Sequence, residues 1–292
     1  MKQNLGFIGM RALTLLLLSG IALCAQSDPL SKARDLYEHT DYRGSLILLI
    51  HSELSSVQAY QLEGQDHFML GEYKKASEAF ERAWGLDPSS STCALWLGRS
   101  YGRRAEISSP FTASRYASKA RAYFEKAVAL DPNNQDALSD LFHYYLEAPG
   151  FLGGGYDKAE RIAAQIARRN PAQGHLAQAE LADRRKQVDT AEEQLRRAVQ
   201  EAPRQVARLL DLARYLARHG QISESEKTFD QAAQLAPGSP RVTFARAQTY
   251  VEQRRNLEQA RALLEQYLQS DLTPDDPSRG EAEKLLKEAR GA

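Results

Sequence analysis

The sequence predicts an all-α chain of repeated helix pairs, and three observations carry that expectation. Ala, Leu, Glu, Gln, Arg and Lys are abundant while Gly and Pro gather in a few clusters, a composition that favours helix. No clear β-hairpin signal occurs. Third, two segments nearly superimpose: FERAWGLDP at residues 80–88 and FEKAVALDP at residues 124–132. With 292 residues and an ordinary apolar fraction, the chain has enough material for one large domain or two small ones.

The recurring frame is a small residue, an apolar one four positions on, a second small residue three further and a proline five beyond that. It reads Ala76, Phe80, Ala83, Pro88; Ala120, Phe124, Ala127, Pro132; Ala191, Leu195, Ala198, Pro203; and Ser225, Phe229, Ala232, Pro237. A degenerate copy is Ala159, Ala163, Ile166, Pro171. Positions four and three apart share one helix face, and proline stops the helix that carries them. Pro203 and Pro237 lie 34 residues apart, a period that signals stacked helix pairs. Upstream of each copy lies a second helical pattern, clearest at Leu97, Gly98 and Tyr101.

These spacings resemble the tetratricopeptide repeat, and the resemblance covers essentially the whole chain from residue 26. It implies a right-handed α-solenoid in which large residues of each first helix meet small ones of the second. In order, the expected units are 26–56, 57–90, 91–134, 135–173, 174–205, 206–239 and 240–273. The first and last match least: Ala33, Leu36, Tyr42, Ser45 and Leu49 hold the places in one, Ala247, Tyr250, Ala260 and Leu264 in the other. A last helix, 277–290, carries Ala282, Leu285, Leu286 and Ala289 on one face and Glu281, Lys284, Lys287 and Glu288 elsewhere. It reads as a cap that solvates the end of the array.

The N-terminus differs in character. Lys2 and Arg11 precede an uncharged apolar run, residues 12–25, that is too short for a bilayer span of about 20 residues. A basic flank, an apolar centre and a small-residue end match a secretory signal peptide over residues 1–25, cut between Ala25 and Gln26. The expectation is therefore an exported protein, periplasmic or secreted. Cys24 raises the alternative of a lipoprotein, but Leu23 stands where Gly, Ala or Ser usually precedes a lipid-bearing cysteine. Removing residues 1–25 leaves 36 basic against 38 acidic residues, so no bulk charge draws the chain to nucleic acid or to a membrane. One cysteine, Cys93, then remains, which excludes an intramolecular disulfide.

Residues 144–156 read YYLEAPGFLGGGY, a helix-breaking string between helical stretches. From Pro132 to Pro171 is 39 residues and from Pro88 to Pro132 is 44, both over the period. The excesses are expected as enlarged turns inside two units, one holding Pro149, Phe151, Leu152, Gly153, Gly154 and Gly155, the other SSPFTASR at 108–115, adjacent along one solenoid edge. A phosphate-binding reading fails, because no strand precedes the glycines and Tyr156-Asp-Lys-Ala follows them in place of Gly-Lys-Ser/Thr. Either Phe151 and Leu152 tuck against the edge while the glycines supply φ > 0, or the loop is a docking knob for a partner. The stretch PGFLGGGYDKA resembles a group of exported, functionally uncharacterised bacterial repeat proteins.

The six histidines, His39, His51, His67, His143, His175 and His219, show no metal-ligand spacing, and no nucleophile elbow occurs. No enzyme, metal or cofactor is expected. The family resemblance implies instead a concave groove lined by set positions of each first helix. Carried over one by one, these are Gln61, Gln65 and Phe68; Leu95, Arg99 and Arg103; Ser139 and His143; Leu176 and Glu180; Leu210, Arg214 and Arg218; Phe244 and Gln248. Four arginines and a histidine against one glutamate imply a groove more basic than the chain. It would suit an acidic or C-terminal carboxylate of a peptide, unless the arginines only cover apolar surface with their stems. The expected function is a non-catalytic exported scaffold that binds a protein or peptide through the groove or the insertion edge. The alternatives are a small-ligand module beside a transporter and a lipoprotein component of envelope assembly.

Overall fold

The computed structural model describes residues 28–291. Fifteen α-helices, and no β-strand, occur among the described residues. They run as pairs: α1 Pro29–Glu38 with α2 Tyr42–His51, α3 Val57–Met69 with α4 Tyr73–Leu86, α5 Ser91–Glu106 with α6 Pro110–Leu130, and α7 Gln135–Glu147 with α8 Tyr156–Ala167. Then follow α9 Pro171–Arg184 with α10 Val188–Glu201, α11 Val206–Arg218 with α12 Ile222–Leu235, α13 Pro240–Glu252 with α14 Leu257–Leu268, and the single α15 Arg279–Gly291. Each helix packs on the next in sequence, and first helices also touch first helices, α1 on α3, α3 on α5, α5 on α7, α11 on α13 and α13 on α15. That asymmetry places the first helices on the inside of a curve, the architecture of an α-solenoid. The expected signal peptide, residues 1–25, lies outside the described residues.

The repeated Asp-Pro strings end one pair and start the next. Asp87 Oδ1 accepts from the Ser89 amide at 3.0 Å and Asp131 Oδ1 from the Asn133 amide at 2.9 Å, each closing a short Asx turn. Three residues after each Asp comes the N-cap: Ser90 Oγ accepts from the Cys93 amide and Asn134 Oδ1 from the Ala137 amide. Behind these turns Ala76, Phe80 and Ala83 are fully buried, as are Ala191, Phe229 and Ala232. Burying a phenylalanine contributes roughly 1.5–3 kcal/mol.

The size pairing inside a unit runs opposite to the expectation at two places. A Cβ on Gly64 of α3 would lie 2.7 Å from the Phe80 ring of α4, and one on Gly98 of α5 would lie 2.5 Å from the Phe124 ring of α6. The small residue sits on the first helix and the large ring of the second fills the space it leaves. The expected boundary between residues 173 and 174 also falls inside α9, which starts at Pro171, with Asn170 capping it by accepting from the Gln173 amide at 3.0 Å.

Only one of the two expected enlarged turns exists. Between α7 and α8 the chain bulges through a 3-10 turn, Gly150–Leu152. Residues 108–115 form no such turn: Ser109 and Pro110 start α6, and the excess length is spent on lengthening α5 to 16 residues and α6 to 21. Proline at the first helical position needs no amide partner, so Pro110 initiates a helix at a place where the repeat spacing suggests a break. Tyr116, in the added turns, stacks on Tyr101 at 6.0 Å and its hydroxyl accepts from Arg104 at 2.8 Å. The bulge and SSPFTASR are accordingly not neighbours in the way expected. The bulge meets α6 at Arg121, whose guanidinium donates to the Leu152 carbonyl at 3.0 Å, and Phe111 lies about 15 Å along the helix from there.

The bulge itself is ordered by its glycines and not by its apolar side chains. Gly153 has φ +88° and Gly155 φ +149°, and a Cβ on Gly154 would lie 1.8 Å from the Ala148 carbonyl oxygen. Tyr144 Oη donates to the Leu152 carbonyl at 2.9 Å and Lys158 Nζ to the Gly153 carbonyl at 2.7 Å. Leu152 is half-buried, but Phe151 is 84 % exposed, so the expectation that both tuck against the edge holds for Leu152 alone.

At the far end, α15 buries Ala282, Leu285, Leu286 and Ala289 against α13 and α14. Tyr267 donates its hydroxyl to the Pro277 carbonyl and Arg279 donates to the Ser270 carbonyl, fixing the turn before the cap.

Candidate functional site

Three hollows follow one another along the inner face. The first, about 420 Å³, is floored by Phe68, Trp96, Phe124 and Tyr144, with Arg99, Arg103, Asp140 and His143 around them. The second, about 340 Å³, lies between α9, α11 and α13 and is lined by Glu180, Asp183, Asp211, Arg214, Arg218 and Glu252. The third, about 670 Å³, is bounded by Leu210, Phe244, Arg241 and Gln248 and by Asp275 and Glu281 of the C-terminal turn and cap. His143 of the first hollow lies 3.0 Å from Glu180 of the second, and Arg214 and Gln248 line both the second and the third. The hollows therefore form one groove.

Charges of the C-terminal turn and cap reach groups on the early helices. Burial and the Tyr42 hydroxyl push the Tyr37 phenol of α1 above its ordinary value, and Asp275 adds to the rise from the other end. Around Arg103 of α5, burial opposes the charge, yet Tyr73, Glu106 and Glu281 of α15 together hold its pKa above the ordinary value.

Each candidate basic side chain has a carboxylate already in place. Arg99 Nε donates to Asp140 Oδ2 at 2.6 Å and its Nη2 to Asp136 Oδ2 at 3.4 Å, with the guanidinium over the Trp96 ring at 5.0 Å. Arg103 pairs with Glu106 and donates to Tyr73 Oη at 3.2 Å. Arg214 pairs with Asp211 at 3.2 Å and Arg218 with Asp183 at 3.7 Å. His143 is held by Glu180, and although burial disfavours its charge, Glu180, Asp140 and Glu147 raise its pKa above the ordinary 6.5. Desolvation raises the Asp140 and Asp211 carboxyls, against the pull of Arg99 on one and of Arg208 and Arg214 on the other.

The expectation of a basic groove is overturned by these pairs. Counting each residue once, carboxylates lining the three hollows outnumber arginines nine to five, with His143 besides. The family pattern misleads here because the partner acids sit beside the positions carried over from it. Asp140 follows Ser139 and Asp211 follows Leu210, and Asp140 answers Arg99 from one repeat further on. An aspartate next to a groove position on α7 and on α11 was the available signal.

The remaining candidates divide. Gln248 lines the second and third hollows. Gln61 is used inside the array, donating its amide to Cys93 Sγ at 3.0 Å, and Gln65 lines none of the three hollows. Leu95 is buried core and does not reach the groove surface. Pro149, Phe151, Leu152, Gly153, Gly154 and Gly155 form the bulge at the end of α7. Among the described residues no group of three His, Cys, Asp or Glu side chains could hold a metal ion, and no helix is long and apolar enough to cross a membrane.

Tetratricopeptide-repeat family models match residues 153–206 and 210–277, and a further one matches residues 114–134. Among solved structures, the chain is similar to a tetratricopeptide repeat protein from Parabacteroides merdae, with TM-score 0.57, 16 % identity, and 90 % of this chain and 97 % of that one covered. It is also similar to a thermophilic TPR protein of Thermus thermophilus, with TM-score 0.53, 21 % identity, and 64 % of this chain and 97 % of that one covered. No curated protein matches the sequence. Family models and fold likeness together support the tetratricopeptide repeat for this chain.

Proposed function

We propose that this tetratricopeptide-type chain is a non-catalytic scaffold that binds a protein or peptide along its concave groove. The observation that carries the reading is the continuity of the three hollows from Phe68 on α3 to Glu281 on α15, joined at His143–Glu180 and at Arg214 and Gln248. A single helix pair cannot bury its apolar face alone, so stacking supplies the neighbour, and curvature leaves an extended inner surface for an extended partner. The polar candidates for contact are Arg99, Arg103, His143, Arg214, Arg218 and Gln248; ion pairs hold the charged ones in place beforehand and so reduce the ordering cost of binding.

We place the protein outside the cytoplasm, on the strength of the Lys2 to Ala25 pattern at the N-terminus. Mass spectrometry of the protein recovered from its cell envelope tests this: an N-terminus at Gln26 supports it, and lipid on Cys24 replaces it with the lipoprotein reading.

The binding reading is tested by filling the groove. Gly102 lines the first hollow, and a Cβ added there meets no heavy atom within 4 Å. Peptides selected from a random display library on the chain should lose binding to Gly102→Trp while its melting temperature stays at or above the parent value. Full retention of binding by that variant would remove the groove as the docking face.

A further inference from the structure

We infer that the groove takes a cationic segment of a partner protein: an aromatic or apolar side chain of the segment enters the hollow over Phe68, Trp96, Phe124 and Tyr144, and its lysines or arginines run along the carboxylates that follow. The inference rests on the groove being the binding face and adds the chemistry of what lies in it.

Charge is left over in the groove after the chain's own pairing. The whole sequence is neutral, 38 basic against 38 acidic residues, whereas the groove is not. In the first hollow Glu106, Asp140 and Glu147 face Arg99, Arg103 and His143. In the second, four carboxylates face two arginines, and in the third Asp275 and Glu281 face Arg241 and the same Arg214. Each of these arginines is engaged: Arg99 with Asp140, Arg103 with Glu106, Arg214 with Asp211, Arg218 with Asp183 and Arg241 with Asp276 at 3.1 Å. Cations beside the hollows answer further carboxylates, Arg184 with Glu147, Arg208 with Asp211 and His219 with Asp183, while Arg241 also reaches Asp275 and His143 holds Glu180. Among the described residues, Glu252 and Glu281 are thus the lining carboxylates left without a cationic partner. Glu252 and Glu281 stand exposed on the rim. The carboxylates left over, Glu252 of α13 and Glu281 of α15, thus lie beyond the aromatic floor, on the far side of the His143–Glu180 junction.

An anionic partner would meet this field with the wrong sign, and juxtaposed like charges cost several kcal/mol. To reach Arg99 it would have to displace Asp140, a half-buried carboxylate 2.6 Å away, and leave that charge unpaired. A cationic segment needs no pair broken. Its positive charge adds to the rim carboxylates, and its aromatic group finds rings already set edge to face, Phe68 against Trp96 at 5.3 Å.

Two fluorescein-labelled peptides of equal length, one alternating Lys with Phe and the other Glu with Phe, test the proposal by fluorescence anisotropy. The expected result is that the Lys peptide binds, the Glu peptide binds at least about tenfold more weakly, and added salt weakens the Lys peptide. Glu252→Gln with Glu281→Gln should weaken the Lys peptide by about tenfold, and Gly102→Trp should remove its binding. Stronger binding of the Glu peptide would overturn the charge inference and leave the groove reading standing, provided Gly102→Trp abolishes that binding. Failure of both peptides to bind would overturn the proposal, as would Lys-peptide binding that neither variant reduces. Circular dichroism melting of each variant keeps a folding defect from being read as lost recognition.

Discussion

His143 Nε2 lies 3.0 Å from the Glu180 carboxylate, a contact between α7 and α9 that joins two hollows of the groove. Its energetic character follows from its surroundings. The imidazole is raised against burial by Glu180, Asp140 and Glu147, so the pair is strongest while the imidazolium persists. A raised folded-state pKa contributes stability that is fully present below the ordinary 6.5 and is lost as pH rises through the folded value. A proton NMR titration should place the His143 midpoint above 6.5. In Glu180→Gln the midpoint should fall, because burial then acts with less opposition. An unchanged midpoint would show that Glu180 does not hold the ring.

Asp66, within the first two pairs, is also raised, but here burial itself is the cause. It is fully buried, receives the Ser45 hydroxyl at 2.7 Å on one oxygen, and has no partner on the other. Burial pushes its carboxyl up to about 8, with Ser45 pulling back and Glu63 and Asp41 adding to the rise. The unfolded chain would release this proton near the ordinary 3.8. Its contribution to stability is therefore complete below that value and is lost as pH climbs toward 8. Thermal unfolding across that window should show a steeper fall for the parent than for Asp66→Asn. Parallel curves for the two proteins would contradict a neutral buried Asp66.

Two glycines on one helix face different surroundings, which gives opposite expectations for the same substitution. Gly98→Ala drives a Cβ to 2.5 Å from the Phe124 ring and should destabilise by about 1–3 kcal/mol. Gly102→Ala meets open space and should stabilise by about 0.5–1 kcal/mol through helix propensity. Urea unfolding of both variants reads the difference, and equal effects would mean that the α5–α6 packing is not as described.

The bulge after α7 allows a similar contrast. Gly154→Ala puts a Cβ 1.8 Å from the Ala148 carbonyl oxygen, an atom of the backbone that cannot swing aside. Amide exchange over residues 145–158 should accelerate in that variant. Phe151→Ser should leave exchange and melting temperature unchanged, since the ring is almost fully exposed. A stability loss from Phe151→Ser would restore the tucked arrangement.

What the sequence made legible was local and periodic. The small–apolar–small–Pro frame marks second helices because those positions share one face, and Ala76, Phe80 and Ala83 indeed lie together in the core. The bend at PGFLGGG was readable because glycine has few other uses between helical stretches. Pro110 was not readable as a start, since the same residue breaks a helix interior and opens a first turn. The groove's sign was hidden for a different reason. Arg99 and Asp140 are 41 residues apart, so the charge at either is set by a neighbour that the spacing of its own repeat does not reveal.

Amide hydrogen exchange of the chain, free and saturated with a library-selected peptide, tests the central claim most directly. The account predicts slowed exchange on the first helices that line the groove, α5, α7, α9, α11 and α13, with the second helices α12 and α14 unaffected. Protection confined to residues 148–155, or to the second helices, would contradict it.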